Sequence, residues 1–314
     1  MRVRRARVGL AVGLVVGLGI VVAATACTSP GDDAAPLPSG VAQGLSAELR
    51  QDRTQYADRR ATLHVVNGSD QAVTLLGGTL DAPGYGPSAP DGPTRARTLA
   101  PGAGRDVRLR LGEVDCDADA PAARSGADAQ TTPVATATVR LAAGEASPGS
   151  TPAGTTVEVD VTDPLARLAA VHAEACAERL VASGVTLRVT DVRAADVPTP
   201  DGDAPGGRIT LAVEPVPGGP DARLVEVSGT TLLSPAAGTA WTGDDLTGQT
   251  DGAVVLDVVP ARCDPHVVAE DKRGTFLPVH AEVDGAPQPV IYVPMTDEQR
   301  AAVYGLVHDA CDWG

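Results

Sequence analysis

Four cysteines, set in two pairs about one domain apart, constrain this 314-residue chain more than any other feature. "RDVRLRLGEVDC" ends at Cys116, and "TDPLARLAAVHAEAC" ends at Cys176. "GAVVLDVVPARC" ends at Cys263, and "TDEQRAAVYGLVHDAC" ends at Cys311. Each pair joins a strand-like run to a helix-like run. The order of elements recurs although identity between the halves is weak. The reading is a diverged tandem duplication with a boundary near Ser183: repeat 1 over 44–182 and repeat 2 over 183–314.

Each half reads as β structure. Leu63 and Val65 alternate with Thr62 and His64, and Val107, Leu109 and Leu111 with Arg108 and Arg110. Val157, Val159 and Val161 alternate with Glu158 and Asp160. Period two with one apolar face is a half-buried antiparallel strand. Clusters such as "APGAG" and "VPGGPDA" supply the turns. Short strands at this spacing predict a mainly β fold of two tandem immunoglobulin-like β-sandwich domains. Each domain closes with a short C-terminal α-helix. Asp163 and Pro164 predict the start of the first helix, with Leu165, Leu168, Val171 and Ala175 as its apolar stripe. Thr296 and Gln299 form a capping box for the second, with Ala302, Val303, Leu306 and Ala310 as its stripe.

A cysteine at the end of each helix can reach back to the one after the preceding strand. The expected disulfides are Cys116–Cys176 and Cys263–Cys311. The rival reading is a metal site. Cys263-x-x-His266 and His308-x-x-Cys311 have zinc-like spacing, and His280 is a further candidate ligand. Repeat 1 lacks a matching set, because His172 stands one residue further from its cysteine and Asp119 occupies the place of a second histidine.

The leader "MRVRRARVGLAVGLVVGLGIVVAATAC" has a basic start, an apolar run and small residues before Cys27. This is the pattern of a secretory signal over 1–26. "ATAC" reads as a lipobox that makes Cys27 the lipidated N-terminus, and ordinary cleavage after Ala24-Thr25-Ala26 with plain secretion is the alternative. Residues 27–43 then form a flexible, Pro/Gly/Asp-rich tether. Lipidating Cys27 leaves an even number of thiols, as an exported chain requires. Two acyl chains suffice for stable anchoring on the outer face of the cytoplasmic membrane.

The leader, the paired cysteines and an almost lysine-free use of arginine resemble the exported lipoproteins of actinobacteria that carry tandem, disulfide-bearing, immunoglobulin-like domains. That resemblance implies a cell-envelope location and no particular activity.

Net charge is −15, and the leader holds four arginines and no acid, so processing makes the remainder more negative still. Such a surface repels nucleic-acid backbones. Aromatics make up only 2% of the chain, which leaves few stacking platforms for bases. Five of them, Trp241, Phe276, Tyr292, Tyr304 and Trp313, fall in repeat 2, where they serve as core or as a recognition surface. No nucleophile elbow, zinc-protease helix, phosphate loop or dinucleotide fingerprint is present. "PDGD" at Asp201 and Asp203 lacks the closing glutamate of a calcium loop. The expectation is therefore no enzyme, no cofactor and no nucleic-acid partner. The chain is read as a tethered module that binds or scaffolds another envelope protein, with a small-solute or metal-binding accessory protein as the second reading.

Overall fold

The computed structural model describes residues 34–52, 54–146, 152–243, 246 and 252–313. The leader, Cys27 and the first part of the tether lie outside these residues.

Repeat 1 contains β1 (Leu45–Arg50), β2 (Arg60–Asn67), β3 (Val73–Asp81), β4 (Ala89–Pro90), β5 (Arg97–Leu99), β6 (Gly104–Arg110), α1 (Ala127–Thr131), β7 (Ala135–Ala143) and β8 (Thr155–Thr162). They are followed by α2 (Arg167–Gly184). The strands pair in the order β4-β6-β2-β1-β8-β7-β3-β5. β1 belongs to both halves of this order. It runs antiparallel to β2 from Leu45↔Asn67 to Arg50↔Thr62, and parallel to β8 at Ala47↔Val161 and Glu48↔Thr162. One layer is thus β1-β2-β6-β4 and the other β8-β7-β3-β5. Those are the first, second, fifth and fourth strands against the third, sixth and seventh of an immunoglobulin-type sandwich, with one added edge strand.

Repeat 2 contains β9 (Val185–Thr199), β10 (Gly202–Pro215), β11 (Ala222–Val227), β12 (Leu233–Pro235), β13 (Trp241–Thr242), β14 (Ala253–Pro260), α3 (Pro265–Glu270), β15 (Phe276–Val283), β16 (Ala286–Pro287), β17 (Ile291–Pro294) and α4 (Asp297–Ala310). Its layers are β12-β14-β10-β9 and β13-β11-β15, with β16 and β17 both on β15. Apart from the added β16, this is the order of repeat 1, down to the short edge strand that follows β4 or β12. The two halves therefore share a topology although their identity is faint.

The alternating residues do what their period dictates. Ala61, Leu63 and Val65 of β2, Val107 and Leu109 of β6, and Val159 and Val161 of β8 point into one apolar cluster. Fully burying each Leu or Val contributes about 1.5–3 kcal/mol. The cluster reaches back into the tether region, where Val41 is 0% exposed and Leu37 packs against its edge. A second cluster is built on Ile209, Leu211, Leu256, Val258 and Val279.

α2 serves both clusters. Leu168 and Val171 lie in the first, and Ala177 and Val181 lie in the second. The helix continues two turns beyond Cys176, packs against β15 and β17, and runs directly into β9. Its counterpart α4 stops at its cysteine. The two repeats also differ at one seam. In repeat 1 the parallel β1–β8 ladder closes the sandwich. Among the described residues no such ladder joins β9 to β17; the side-chain amide of Gln299 in α4 donates instead to Val189 O, at 2.9 Å.

The first helix begins later than Asp163 and Pro164 predict. Residues 163–166 form a turn closed by Ala166 N–H on Asp163 O, and Ala166 is left-handed, with φ 50°. Asp163 still caps, because its carboxylate accepts from Leu168 N–H at 2.8 Å. Leu165, placed on the buried stripe by period, is 71% exposed because the helix has not yet started. The capping box of α4 forms as its sequence predicts, with Thr296 and Gln299 exchanging backbone and side-chain hydrogen bonds.

Candidate functional site

The cysteines pair as their positions predict. Cys116–Cys176 has an S–S distance of 2.03 Å, and Cys263–Cys311 one of 1.97 Å. Each bridge ties the stretch after the fifth strand to the closing helix of its repeat. Disulfides of this kind belong to an oxidising, extracytoplasmic compartment. No helix among the described residues is long and apolar enough to cross a membrane.

The zinc-like set does not come together as a ligand shell. Both sulfurs are in the bridge, so neither Cys263 nor Cys311 offers a thiolate. His266 is exposed on α3. The imidazole of His308 is engaged by Asp309, at 3.1 Å, and lies edge-on to Trp313. His280 sits elsewhere, on the outer face of β15. Asp201 and Asp203 flank the β9–β10 turn, where Thr199 Oγ1 donates to Gly202 O.

His280 does meet a serine and a glutamate. Ser228 Oγ donates to Glu226 Oε1 at 2.6 Å and lies 3.2 Å from His280 Nε2. The hydroxyl has one proton, and Glu226 takes it, so His280 Nε2–H donates to the serine. Activating a nucleophile requires the opposite direction. Glu226 also approaches Nε2, at 3.6 Å, where an orienting carboxylate would hold Nδ1. Ser228 N–H is committed to Pro278 O. The cluster is a polar patch on the outer face of the sheet.

A dense set of polar contacts lies where α2 joins the repeats. The Arg273 guanidinium stands 4.1 Å from the Tyr292 ring centroid and 5.3 Å from that of Tyr56, which belongs to repeat 1. Arg273 Nη2 donates to Glu174 of α2 at 2.9 Å. Arg167, near the start of α2, covers the same Tyr56 ring at 4.3 Å and donates to Gln51 at 3.0 Å. Arg59 pairs with Glu178, and Arg179 donates to Val114 O. Cation–π contacts of this type each contribute on the order of 0.5–2 kcal/mol. Tyr56, Arg167, Glu174, Arg273 and Tyr292 thus form one connected junction that bridges the sandwiches.

The aromatic residues of repeat 2 divide between core and junction. Trp241 is buried, and Tyr304 and Trp313 pack against the second cluster. Tyr292 belongs to the junction.

Beside that junction lies an open groove of about 440 Å³, lined by Tyr85, Glu113, Val114, Asp115, Ala118 and Arg179. Tyr85 donates to Leu168 O at 2.6 Å. Burial, reinforced by the Asp163 carboxylate, pushes the Tyr85 phenol well above its ordinary pKa. His172 is 6% exposed, edge-on to Tyr85, and donates through Nε2 to Asp115 O at 3.1 Å. Gly84, at φ 70°, lies so close that a Cβ there would come within 2.7 Å of His172 Nε2. A second open groove, of about 470 Å³, lies between Asp81, Pro83, Thr136 and Asp160 at the edge of β3, β7 and β8. Sequence reasoning found Cys116, Cys176 and His172, but not the groove or the Tyr56–Arg273 junction. Both depend on contacts between residues more than 80 positions apart.

No protein-family model and no curated protein matches the chain. Solved structures similar to it include the CsuC–CsuE chaperone–tip adhesion subunit pre-assembly complex of archaic chaperone-usher Csu pili from Acinetobacter baumannii. It is 12% identical, with 76% of this chain and 93% of that chain covered and a TM-score of 0.18. The Salmonella enterica SafA pilin in complex with the SafB chaperone is 12% identical over 75% of this chain and 89% of that chain, with a TM-score of 0.17. The D0–D1 domain of intimin is 11% identical over 80% and 97%, with a TM-score of 0.16.

Proposed function

We propose that the chain is a membrane-tethered cell-envelope lipoprotein without catalytic activity, which binds or scaffolds another envelope protein. The observation that carries this reading is the junction. α2 is shared by two cores, and Arg273, Tyr56, Tyr292 and Glu174 lock the sandwiches to each other. Two domains held at a fixed angle present one preorganised surface, which lowers the entropy cost of gripping a partner. Both grooves are open, as suits contact with a macromolecule better than enclosure of a small solute. In this reading diacylated Cys27 is the anchor, and Val41 is the first fully buried one of the described residues after it. The stretch between them spans at most about 50 Å when extended, so repeat 1 stays close to the membrane surface.

The test has two arms. Cys27→Ser should release the protein from the membrane fraction and remove a diacylglycerol adduct from the intact mass; unchanged membrane retention without such an adduct would end the lipoprotein assignment. Photo-crosslinking residues placed in living cells on the outer faces of both repeats should give a discrete adduct of one mass. Absence of an adduct at every face would end the scaffold assignment.

A further inference from the structure

The two disulfides have different surroundings: Cys263 is exposed where Cys116, Cys176 and Cys311 are half-buried, and a histidine nitrogen faces the sulfur of Cys176. On α2, His172 precedes Cys176 by four residues, one helical turn, and its Nδ1 lies 3.8 Å from Cys176 Sγ. Its other nitrogen is fixed on Asp115 O. The neutral ring therefore carries its proton on Nε2 and turns a bare Nδ1 toward the sulfur. On α4, His308 precedes Cys311 by three residues, and Asp309 and Trp313 engage its ring. Cys116 lies in the stretch that leads away from β6, half-buried between exposed Asp115 and Asp117 and next to the groove walls formed by Asp115 and Ala118.

The geometry points to Cys116–Cys176 as a thiol–disulfide exchange site, with Cys116 as the attacked sulfur, Cys176 as the leaving sulfur, and a cysteine thiol in a basic segment as its substrate. This inference does not depend on the lipoprotein reading. A thiolate RS⁻ attacks Cys116 Sγ. The RS–Sγ bond forms, the Cys116–Cys176 bond breaks, and its electron pair leaves on Cys176 as a thiolate. The proton given up by the incoming thiol ends on His172 Nδ1, so an imidazolium faces the new thiolate while Nε2–H stays on Asp115 O. A thiolate beside a protonated histidine is stabilised, and a better-stabilised leaving thiolate leaves faster. Exchange consumes no external oxidant, because the mixed disulfide RS–Cys116 retains the oxidation level of the original bridge. Charge selects the thiol: Glu113, Asp115, Asp117 and Asp119 flank Cys116 along the chain and outnumber the one cation of the groove wall, Arg179, so an anionic thiol is repelled and a cationic one is drawn in.

The probe is cysteamine, a cationic thiol, added to the purified oxidised protein. Acid quenching, alkylation of free thiols and peptide mass mapping then locate the adducts. The expected result is cysteamine on Cys116 and a free thiol on Cys176, about tenfold ahead of any reaction at Cys263–Cys311. Equal rates at the two bridges, or cysteamine on Cys176 with Cys116 released, would overturn the assignment. 3-Mercaptopropionate, the anionic comparator, should react several-fold more slowly at about 10 mM salt and lose that deficit near 1 M, where the Debye length shrinks to about 3 Å. Equal rates for the two probes at low salt would overturn the basic-segment preference. His172→Phe keeps the volume of the ring and should slow exchange about tenfold; a folded variant with undiminished rate overturns the role of the histidine. If that variant fails to fold, the site of the adduct in the unaltered protein still decides the question.

Discussion

Arg273 of repeat 2 and Glu174 of α2 meet at 2.9 Å, and their side chains are only 20% and 31% exposed. The same guanidinium lies over Tyr292 and beside Tyr56, and its Nε is buried without a hydrogen-bond partner. Arg273→Ala removes the stacking and leaves Glu174 half-buried and unpaired. The expected loss is on the order of 2 kcal/mol. Arg273→Lys keeps the charge but not the planar stack, and should recover only part of it. Urea denaturation followed at both repeats should change from one shared transition to two separate ones. A single unshifted transition in Arg273→Ala would show that the junction carries no stability.

The bridges close loops of 60 and 48 residues. Chain entropy assigns about 4 kcal/mol to each, with little difference between them. Replacing either pair by serines should therefore lower the unfolding midpoint by similar amounts. The two double variants, compared by calorimetry without reductant, test this. A loss confined to one of them would indicate that packing around the sulfurs, rather than loop length, sets their worth.

Gly207 on β10 faces the closing helix. A Cβ there would overlap Leu306 Cδ1 and come within 2.7 Å of Arg193 O. Gly207→Ala should cost about 1–3 kcal/mol through overpacking. Combining it with Leu306→Ala should restore part of that loss, since the obstructing side chain is then gone. A double-mutant cycle in urea measures the coupling, and strict additivity would refute the contact.

Tyr85 is held neutral by burial and by Asp163, so its folded pKa lies above the ordinary 10.0. An acid with a raised folded pKa stabilises the fold while both states are protonated. That contribution shrinks once pH passes the unfolded pKa, because the unfolded chain then releases a proton the folded one retains. Stability should fall as pH rises above about 10. Tyr85→Phe sacrifices the bond to Leu168 O and starts less stable, but its stability should decline less steeply over the same range. Parallel slopes for the two proteins would remove Tyr85 as the cause.

Strand identity was legible wherever one face is buried: β2, β6 and β8 alternate as their residues dictate, and the register follows the alternation. The bridges were legible because a cysteine after the fifth strand recurs with one at a helix end. The short edge strands β4 and β13 were not, since two paired residues carry no period. The late start of α2 was missed because Asp163 and Pro164 form a local turn that satisfies the same signals as a cap. The junction was invisible for another reason. Tyr56, Glu174 and the Arg273–Tyr292 pair are each about 100 positions or more from one another, and the docking of α2 on β15 and β17 helps bring them together.

α2 also sets a limit on inheritance. α4 ends at its cysteine, whereas α2 runs on to Gly184. The two further turns, from Ala177 to Gly184, place Ala177 and Val181 in the neighbour's interior. A recombination that exchanged one copy for a homologue would cut through a shared hydrophobic stripe wherever the crossover fell within that helix. Two sandwiches that share one helix can in this sense be passed on only as one.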